Sequence, residues 1–163
     1  MVLGHSHVMN KNNYTIRQAT ADDAQIVGSM VNALLCELFT DHFSKDELPE
    51  HVEAARSLMS TDHIYAFLAY DGINPVGLCT LHQCAAVYAK GLFGEISELY
   101  INPDCRSGGL GAMLIDAAKT FGRQQGWSII EVGAPDVPRC QRTVDFYLDY
   151  GFSEVGPRLE IGL

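Results

Sequence analysis

The segment from Cys105 to Leu114, CRSGGLGAML, combines residue types that can bind an anion. It contains three glycines and one arginine, and from Leu110 onward the apolar residues have the spacing of an amphipathic helix. N–H groups at the start of a helix have no partner within it, and the helix dipole adds positive charge. Glycine lets such a turn approach phosphate oxygens closely. The segment therefore favours an anion site with Arg106 beside it, and the alternative is a tight turn between a strand and a helix.

Two common phosphate-binding loops are excluded by the glycine spacing. The dinucleotide fingerprint GxGxxG would need a third glycine where the chain has Leu114, and no GxxxxGK[ST] occurs in the sequence. The pattern that is present runs Arg106-x-x-Gly109-x-Gly111-Ala112. Neither a Rossmann nucleotide site nor a P-loop is therefore predicted.

The elements around this turn are predicted from hydrophobic periodicity and from turn residues. Early strands and a hairpin precede a strand, helix, strand, helix, strand succession, which indicates an α/β or α+β mixed sheet with helices on its faces. The predicted strands are Tyr14–Arg17, His63–Tyr70, Pro75–Leu81, Gly94–Ile101, Ser128–Val132 and a last pair at Phe152–Val155 and Arg158–Ile161. Four helices are predicted. The first starts after Thr20, the second opens at Pro49, the third runs from Leu110 to Gly126 and the fourth spans Arg139–Tyr150.

The length and composition predict a single globular domain. With 163 residues, 47% of them hydrophobic, the chain is expected to form one domain at residues 14–163 after a flexible leader at 1–13. No segment approaches the ~18 consecutive apolar residues of a membrane span, and the start lacks the features of a secretory signal. The five cysteines are an odd number without a CxxC pair, which fits reduced thiols. We therefore expect a cytoplasmic protein with no membrane partner.

The net charge of -9 disfavours nucleic acid as a partner, because DNA and RNA binding needs an excess of Lys and Arg. The imbalance is concentrated between Asp41 and Asp62. A cationic partner would be drawn to this segment, and the alternative is a solvated helix face. Its acidic residues are Asp41, Asp46, Glu47, Glu50, Glu53 and Asp62, and its basic residues are Lys45 and Arg56.

The order of these elements, together with two segments, resembles the GNAT superfamily of N-acetyltransferases. ELYINPDCRSGGLGAML is similar to that family's acetyl-CoA-binding segment, and DFYLDYGF, from Asp145 to Phe152, is similar to its second motif. The resemblance covers nearly the whole chain from Tyr14 onward. It implies a central mixed, mostly antiparallel sheet flanked by about four helices. It also implies that an acetyl group passes from acetyl-CoA to a primary amine on a small cationic or peptidic acceptor, through a tetrahedral intermediate.

The resemblance further implies which residues hold acetyl-CoA. The pantetheine arm would run along Leu99, Tyr100 and Ile101 like an added strand, and an N–H near Tyr100 or Ile101 would stabilise the oxyanion. The pyrophosphate would lie on the N–H groups of Ser107, Gly108, Gly109, Leu110, Gly111 and Ala112, beside Arg106.

Two catalytic residues are implied by the same resemblance. Tyr147 matches the tyrosine that protonates the leaving thiolate, and the alternative is a core aromatic on the helical face of Val144 and Leu148. Glu98 matches a glutamate that several members use as general base, and such a base is useful because an amine of pKa ~10.4 is almost fully protonated at neutral pH. The alternatives are Glu95 in the same strand, or no side-chain base.

The chain also departs from the family pattern. The family often carries an asparagine and an alanine where this sequence has Cys140 and Thr143. These departures leave open a second function, a non-catalytic acyl-CoA-binding sensor or interaction module. His5 and His7 are too few ligands for a metal site, so no metal is expected. A homodimer is possible by analogy, and the sequence does not specify the acceptor or the acyl chain length.

Overall fold

The computed structural model describes residues 13–162, which form five strands and four α-helices. The strands are β1 (Tyr14–Gln18), β2 (Tyr65–Asp71), β3 (Asn74–Ala86), β4 (Gly91–Ile101) and β5 (Ile130–Val132). The helices are α1 (Ala24–Leu38), α2 (Leu48–Ser60), α3 (Leu110–Gln124) and α4 (Gln141–Tyr150). Within the described residues, no helix is both long and apolar enough to cross a membrane. The mixed fold class is confirmed, and the predicted leader with His5 and His7 lies almost entirely outside the described residues.

The five strands form one sheet in the order β1-β2-β3-β4-β5. The first four are antiparallel neighbours, and β5 pairs with β4 in parallel. The predicted hairpin at Asp71-Gly72 joins β2 to β3, with Asp71 opposite Asn74. The β3–β4 register shifts where Thr80 pairs with Glu98 and Leu81 pairs with Ile96, so Ser97 is a bulged residue of β4.

Each face of the sheet is covered by different helices. Alternate residues of a strand point to opposite faces. Phe67 and Cys79 pack in a buried cluster with α3 and with Tyr147 of α4. Their neighbours Leu68 and Leu78 pack in a second cluster with α1 and α2. The two faces of β4 therefore meet different surroundings.

The predicted last strand pair, Phe152–Val155 and Arg158–Ile161, is wrong. Residues 152–162 contain no strand, and Val155 and Leu159 are 85% and 93% exposed. An alternating apolar pattern forms a strand only where an edge offers hydrogen bonds and a surface covers one face. Gly156, with a φ of +126°, also interrupts the segment. Among the described residues, this segment pairs with neither edge of the sheet, although β5 is an edge strand, and its apolar side chains stay exposed.

Candidate active site

The edge of β4 is open on the side of β5. Within residues 13–162, β5 pairs only with Gly94, Glu95 and Ile96, whereas β4 continues to Ile101. The N–H groups of Glu98 and Asn102 point towards β3, because they donate to Thr80 Oγ1 at 3.0 Å and to the Val76 carbonyl at 2.8 Å.

The N–H groups of alternate strand residues point to alternate sides. Those of Leu99 and Ile101 therefore point into the open edge, and that of Tyr100 does not. The sequence analysis predicted an oxyanion donor near Tyr100 or Ile101. The N–H of Ile101 points to the side that this role needs, and that of Tyr100 does not. The N–H of Leu99 is a further candidate.

The three glycines of the turn before α3 have different structural roles. Gly109 has a φ of +82°, and a Cβ placed on it would meet no atom within 4 Å, so its backbone faces open space. A Cβ on Gly108 would make ordinary contacts at 3.6 Å or more. A Cβ on Gly111 would lie 2.9 Å from Phe146 Cζ, so Gly111 allows α3 and α4 to pack closely. Only Gly109 has the properties expected of a backbone that a phosphate approaches.

The arginine that was expected beside the glycine turn is paired elsewhere. Arg106 donates two hydrogen bonds to the Glu37 carboxylate, at 2.7 and 2.8 Å, and a third from Nε to the Ile101 carbonyl at 3.0 Å. Arg142 of α4 instead reaches the turn and donates to Ser107 Oγ. Arg142 therefore brings a positive charge to the turn, which the sequence analysis missed because nothing local links α4 to this loop.

Tyr147 lies on the α3 side of the sheet, where it is buried with 7% of its surface exposed. Its ring contacts Phe146 and Phe152, with centroids 5.5 and 5.4 Å apart. Burial, and to a lesser extent the nearby Cys79, raises the pKa of the Tyr147 phenol. The phenol therefore keeps its proton and can donate a hydrogen bond.

Glu98 lies on the opposite face, beneath α1 and α2, as its cross-strand partner Thr80 does. Thr80 Oγ1 donates to Glu98 Oε2. Burial raises the pKa of the Glu98 carboxyl, and the Thr80 hydrogen bond and the charges of His82 and His51 oppose that shift. Desolvation of this kind makes a carboxylate a stronger base.

Glu98 and Tyr147 approach the same point of the sheet from opposite faces. Cys79 pairs with Leu99 on β4. Burial and the charge of Glu98 raise the pKa of the Cys79 thiol to about 12, and Cys79 also contributes to the shift of Tyr147. A carboxylate on one face and a phenol on the other thus both lie near Cys79, the cross-strand partner of Leu99.

The sequence analysis missed several polar residues on the Glu98 face. His51 Nδ1 donates to Asn32 Oδ1 at 2.7 Å, and Asn32 is 6% exposed. His82 Nδ1 lies 2.9 Å from Ser97 Oγ. His82 could have been placed on this face from its alternation with Thr80, whereas the contact between α1 and α2 that fixes His51 has no local signal.

Comparisons with known proteins identify the family of the chain and its fold. The profile of the acetyltransferase (GNAT) family matches residues 30–152. An aminoalkylphosphonate N-acetyltransferase of Salmonella typhimurium is 27% identical over 139 residues, which cover 85% of this chain and 84% of that protein.

Solved structures share the fold. An aminoglycoside acetyltransferase from an uncultured soil metagenomic sample has a TM-score of 0.76 at 21% identity, over 93% of this chain and 97% of the other. A predicted acetyltransferase from Clostridium acetobutylicum, solved with acetyl-CoA, has a TM-score of 0.76 at 16% identity, over 91% and 96% of the two chains. With the family profile spanning most of the described residues, the chain belongs to the acetyltransferase (GNAT) family and is an acetyl-CoA-dependent N-acetyltransferase.

Proposed function

We propose that this enzyme acetylates a small primary amine by direct attack on the thioester, at the open edge of β4 between Glu98 and Tyr147. The observation that carries the proposal is that these two side chains lie on opposite faces of the sheet near Cys79, whose partner Leu99 lies beyond the pairing of β4 with β5. An amine must lose a proton and a thiolate must gain one. Groups on opposite faces can perform the two transfers without competing for one position.

The open edge and the glycine turn fit acetyl-CoA. Leu99 and Ile101 would hold the pantetheine arm through N–H groups that point away from β3, with Tyr100 beside them. The N–H groups from Ser107 to Ala112 would hold the pyrophosphate, since Gly109 leaves open space above its backbone. Arg142 would supply the positive charge, because Arg106 is already paired with Glu37.

The backbone N–H of Leu99 or Ile101 would stabilise the oxyanion that forms on the carbonyl. Donors held in place before the reaction need no reorganisation when charge develops. Each such donor is typically worth about 3 kcal/mol of barrier. The bulge at Ser97 supports this role, since bulges re-aim the strand beside them.

Glu98 would accept the proton of the amine, directly or through water. Its raised pKa brings it closer to the pKa of the ammonium and so reduces the cost of the transfer. Glu95 remains the rival base, but its carboxylate already accepts a hydrogen bond from Arg158.

Tyr147 would donate to the sulfur of coenzyme A as the C–S bond breaks. A thiol has a pKa of ~8.5 and a phenol ~10, so complete transfer is unfavourable even without the raised pKa of Tyr147. The phenol would therefore stabilise the developing thiolate mainly as a hydrogen-bond donor. Its proton would shift towards the sulfur only while the C–S bond is breaking.

The acceptor is proposed to be a cationic amine. Two of the acidic residues that first suggested this have local roles, since Glu47 accepts from the Ser44 N–H at 3.0 Å and Glu53 pairs with Arg56. We therefore infer the acceptor class from the carboxylates of Glu98, Glu95 and Glu131, because these residues belong to the two strands that form the proposed site. The two relatives named above act on amines, an aminoalkylphosphonate and an aminoglycoside, which supports a small-molecule acceptor.

The test is acceptor-dependent release of coenzyme A thiol, with the acetylated product identified by mass. The panel contains polyamines, aminoglycosides, aminoalkylphosphonates, amino acids and lysine peptides, and a reaction without acceptor corrects for the five cysteines of the protein. Release with the cationic acceptors is expected. If no acceptor gives thiol release but acetyl-CoA still raises the Tm, the result would favour an acyl-CoA sensor. If there is neither thiol release nor acetyl-CoA binding, the proposed role of the glycine turn would be refuted.

A further inference from the structure

The sheet face that carries Glu98 also carries three different metal-ligand types, at His82, Cys84 and Glu95. One ligand atom from each lies within 4.8 Å of the other two. His82 and Cys84 alternate along β3, and Glu95 is the cross-strand partner of His82. Regular sheet pairing therefore brings these donors together. We propose that His82, Cys84 and Glu95 bind one transition metal ion of the Zn²⁺ type.

The donor set selects the class of ion. An imidazole nitrogen, a thiolate and a carboxylate are the ligands of Zn²⁺ and related transition metals, whereas Mg²⁺ and Ca²⁺ prefer oxygen ligands alone. Around a tetrahedral ion with bonds of ~2.0–2.3 Å, ligand atoms are ~3.5 Å apart. Donors within 4.8 Å reach that separation by side-chain rotation, because the three half-buried side chains share one face of paired strands.

Neighbouring groups orient the donors. Ser97 Oγ lies 2.9 Å from His82 Nδ1, so when Nδ1–H donates to this hydroxyl, Nε2 is left for the ion. Metal-bound histidines usually have such a partner on their second nitrogen. On binding, the Cys84 thiol releases its proton to solvent, and the thiolate and carboxylate together balance the charge of the dication.

Arg158 competes with the ion for Glu95. It donates to Glu95 Oε1, so a guanidinium already neutralises one ligand. Arg158 is exposed and belongs to the irregular segment after α4, so it can leave without disturbing the sheet. Removing its charge is therefore expected to tighten metal binding. This inference runs against the sequence-based expectation of no metal, and it does not depend on the proposed acetyl transfer.

The test uses the full chain after chelator treatment, with His5→Ala and His7→Ala in every variant so that the leader contributes no ligands. Co²⁺ is titrated in and then displaced with Zn²⁺. One equivalent of Co²⁺ is expected to give the thiolate-to-cobalt charge-transfer band. Cys84→Ser should abolish the band, Glu95→Gln and His82→Gln should each weaken binding by about tenfold or more, and Arg158→Gln should tighten it severalfold.

Cys36→Ser is the matched control, since Cys36 of α1 is also half-buried but is not a member of the cluster. It should retain the band. Absence of a charge-transfer band, or its survival in Cys84→Ser, would overturn the proposal. If Cys84→Ser does not fold, Glu95→Gln and His82→Gln decide, and unchanged affinity in both would equally overturn it. Because no acyl donor or acceptor is present, failure here leaves the proposed acetyl transfer intact.

Discussion

Glu98 is the residue whose ionisation should be visible in the pH dependence of activity. A general base works only when ionised, so kcat/KM should fall as the pH drops through the Glu98 pKa. Because burial raises that pKa, the fall should occur above the ordinary glutamate value of ~4.3. Glu98→Gln should lower kcat/KM by about 10²-fold or more and remove this acid limb. Initial rates measured across pH test both expectations.

The matched control for Glu98 is Glu53→Gln, an exposed carboxylate paired with Arg56 on α2. It should leave the pH profile unchanged. Glu95→Gln tests whether Glu95 is the general base instead of Glu98. If the acid limb is lost in Glu95→Gln and retained in Glu98→Gln, the base is Glu95.

Tyr147→Phe should separate chemistry from binding. The phenyl ring keeps the contacts with Phe146 and Phe152, so the affinity for acetyl-CoA should be retained. Loss of the hydroxyl should lower the single-turnover rate by about 10²-fold, as expected for removal of a proton donor. Tyr150→Phe is the control on the same helix, since the Tyr150 hydroxyl donates to Asp116 at the surface. An unchanged rate in Tyr147→Phe would remove this residue from the mechanism.

The turn that opens α3 should respond differently to substitution at two of its glycines. Gly111→Ala places a methyl group 2.9 Å from Phe146 Cζ, so it should destabilise the α3–α4 packing by about 1–3 kcal/mol. Gly109→Asn keeps a residue that tolerates a φ of +82°, so it should preserve the Tm better. Its side chain should instead obstruct acetyl-CoA. Thermal melts measure the stability of each variant, and calorimetry measures its affinity for acetyl-CoA. If Gly111→Ala lost as much affinity as Gly109→Asn and kept its Tm, the two glycines would not have these separate roles.

The contact between α4 and the glycine turn makes Arg142 the expected phosphate partner. Arg142→Gln should weaken acetyl-CoA binding by about tenfold, the loss of one charge-assisted hydrogen bond, and the loss should shrink at high salt. Arg106→Gln is the comparison. Because Arg106 is paired with Glu37, its removal should lower stability more than coenzyme affinity. If calorimetry shows that Arg106→Gln weakens acetyl-CoA binding more than Arg142→Gln does, Arg106 would have the role that the sequence predicted for it.

The elements that position the site were predictable where their signals are local. β4, its end at Asn102-Pro103 and α3 follow from strand composition, proline and a helical stripe. The pairing of Arg106 with Glu37 joins residues 69 positions apart, and Arg142 and Ser107 are 35 apart. Such contacts depend on tertiary packing, which periodicity does not encode. The failed strand pair after Phe152 shows the same limit, because an alternating pattern alone does not make a segment pair with the edge of a sheet.

At the scale of the whole molecule, the charge of -9 should make the reaction sensitive to both acceptor charge and salt. A cationic acceptor is attracted over a range set by the Debye length, which shortens from ~10 Å at 0.1 M salt to ~3 Å at 1 M. The kcat/KM for a polyamine should therefore fall severalfold as salt rises, mainly through KM. The value for an amino acid without net charge should change little.

Steady-state kinetics at several salt concentrations, with the two acceptors compared in parallel, test this expectation. Glu98→Gln is unsuitable as the charge variant, because it also removes the candidate base. Glu131→Gln is preferable, since Glu131 is the β5 partner of Glu95 and accepts a hydrogen bond from Tyr88 at 2.5 Å. It should reduce the salt dependence for the polyamine alone. A kcat/KM that is highest for an anionic amine and rises with salt would contradict the cationic class and favour an aminoalkylphosphonate-like acceptor.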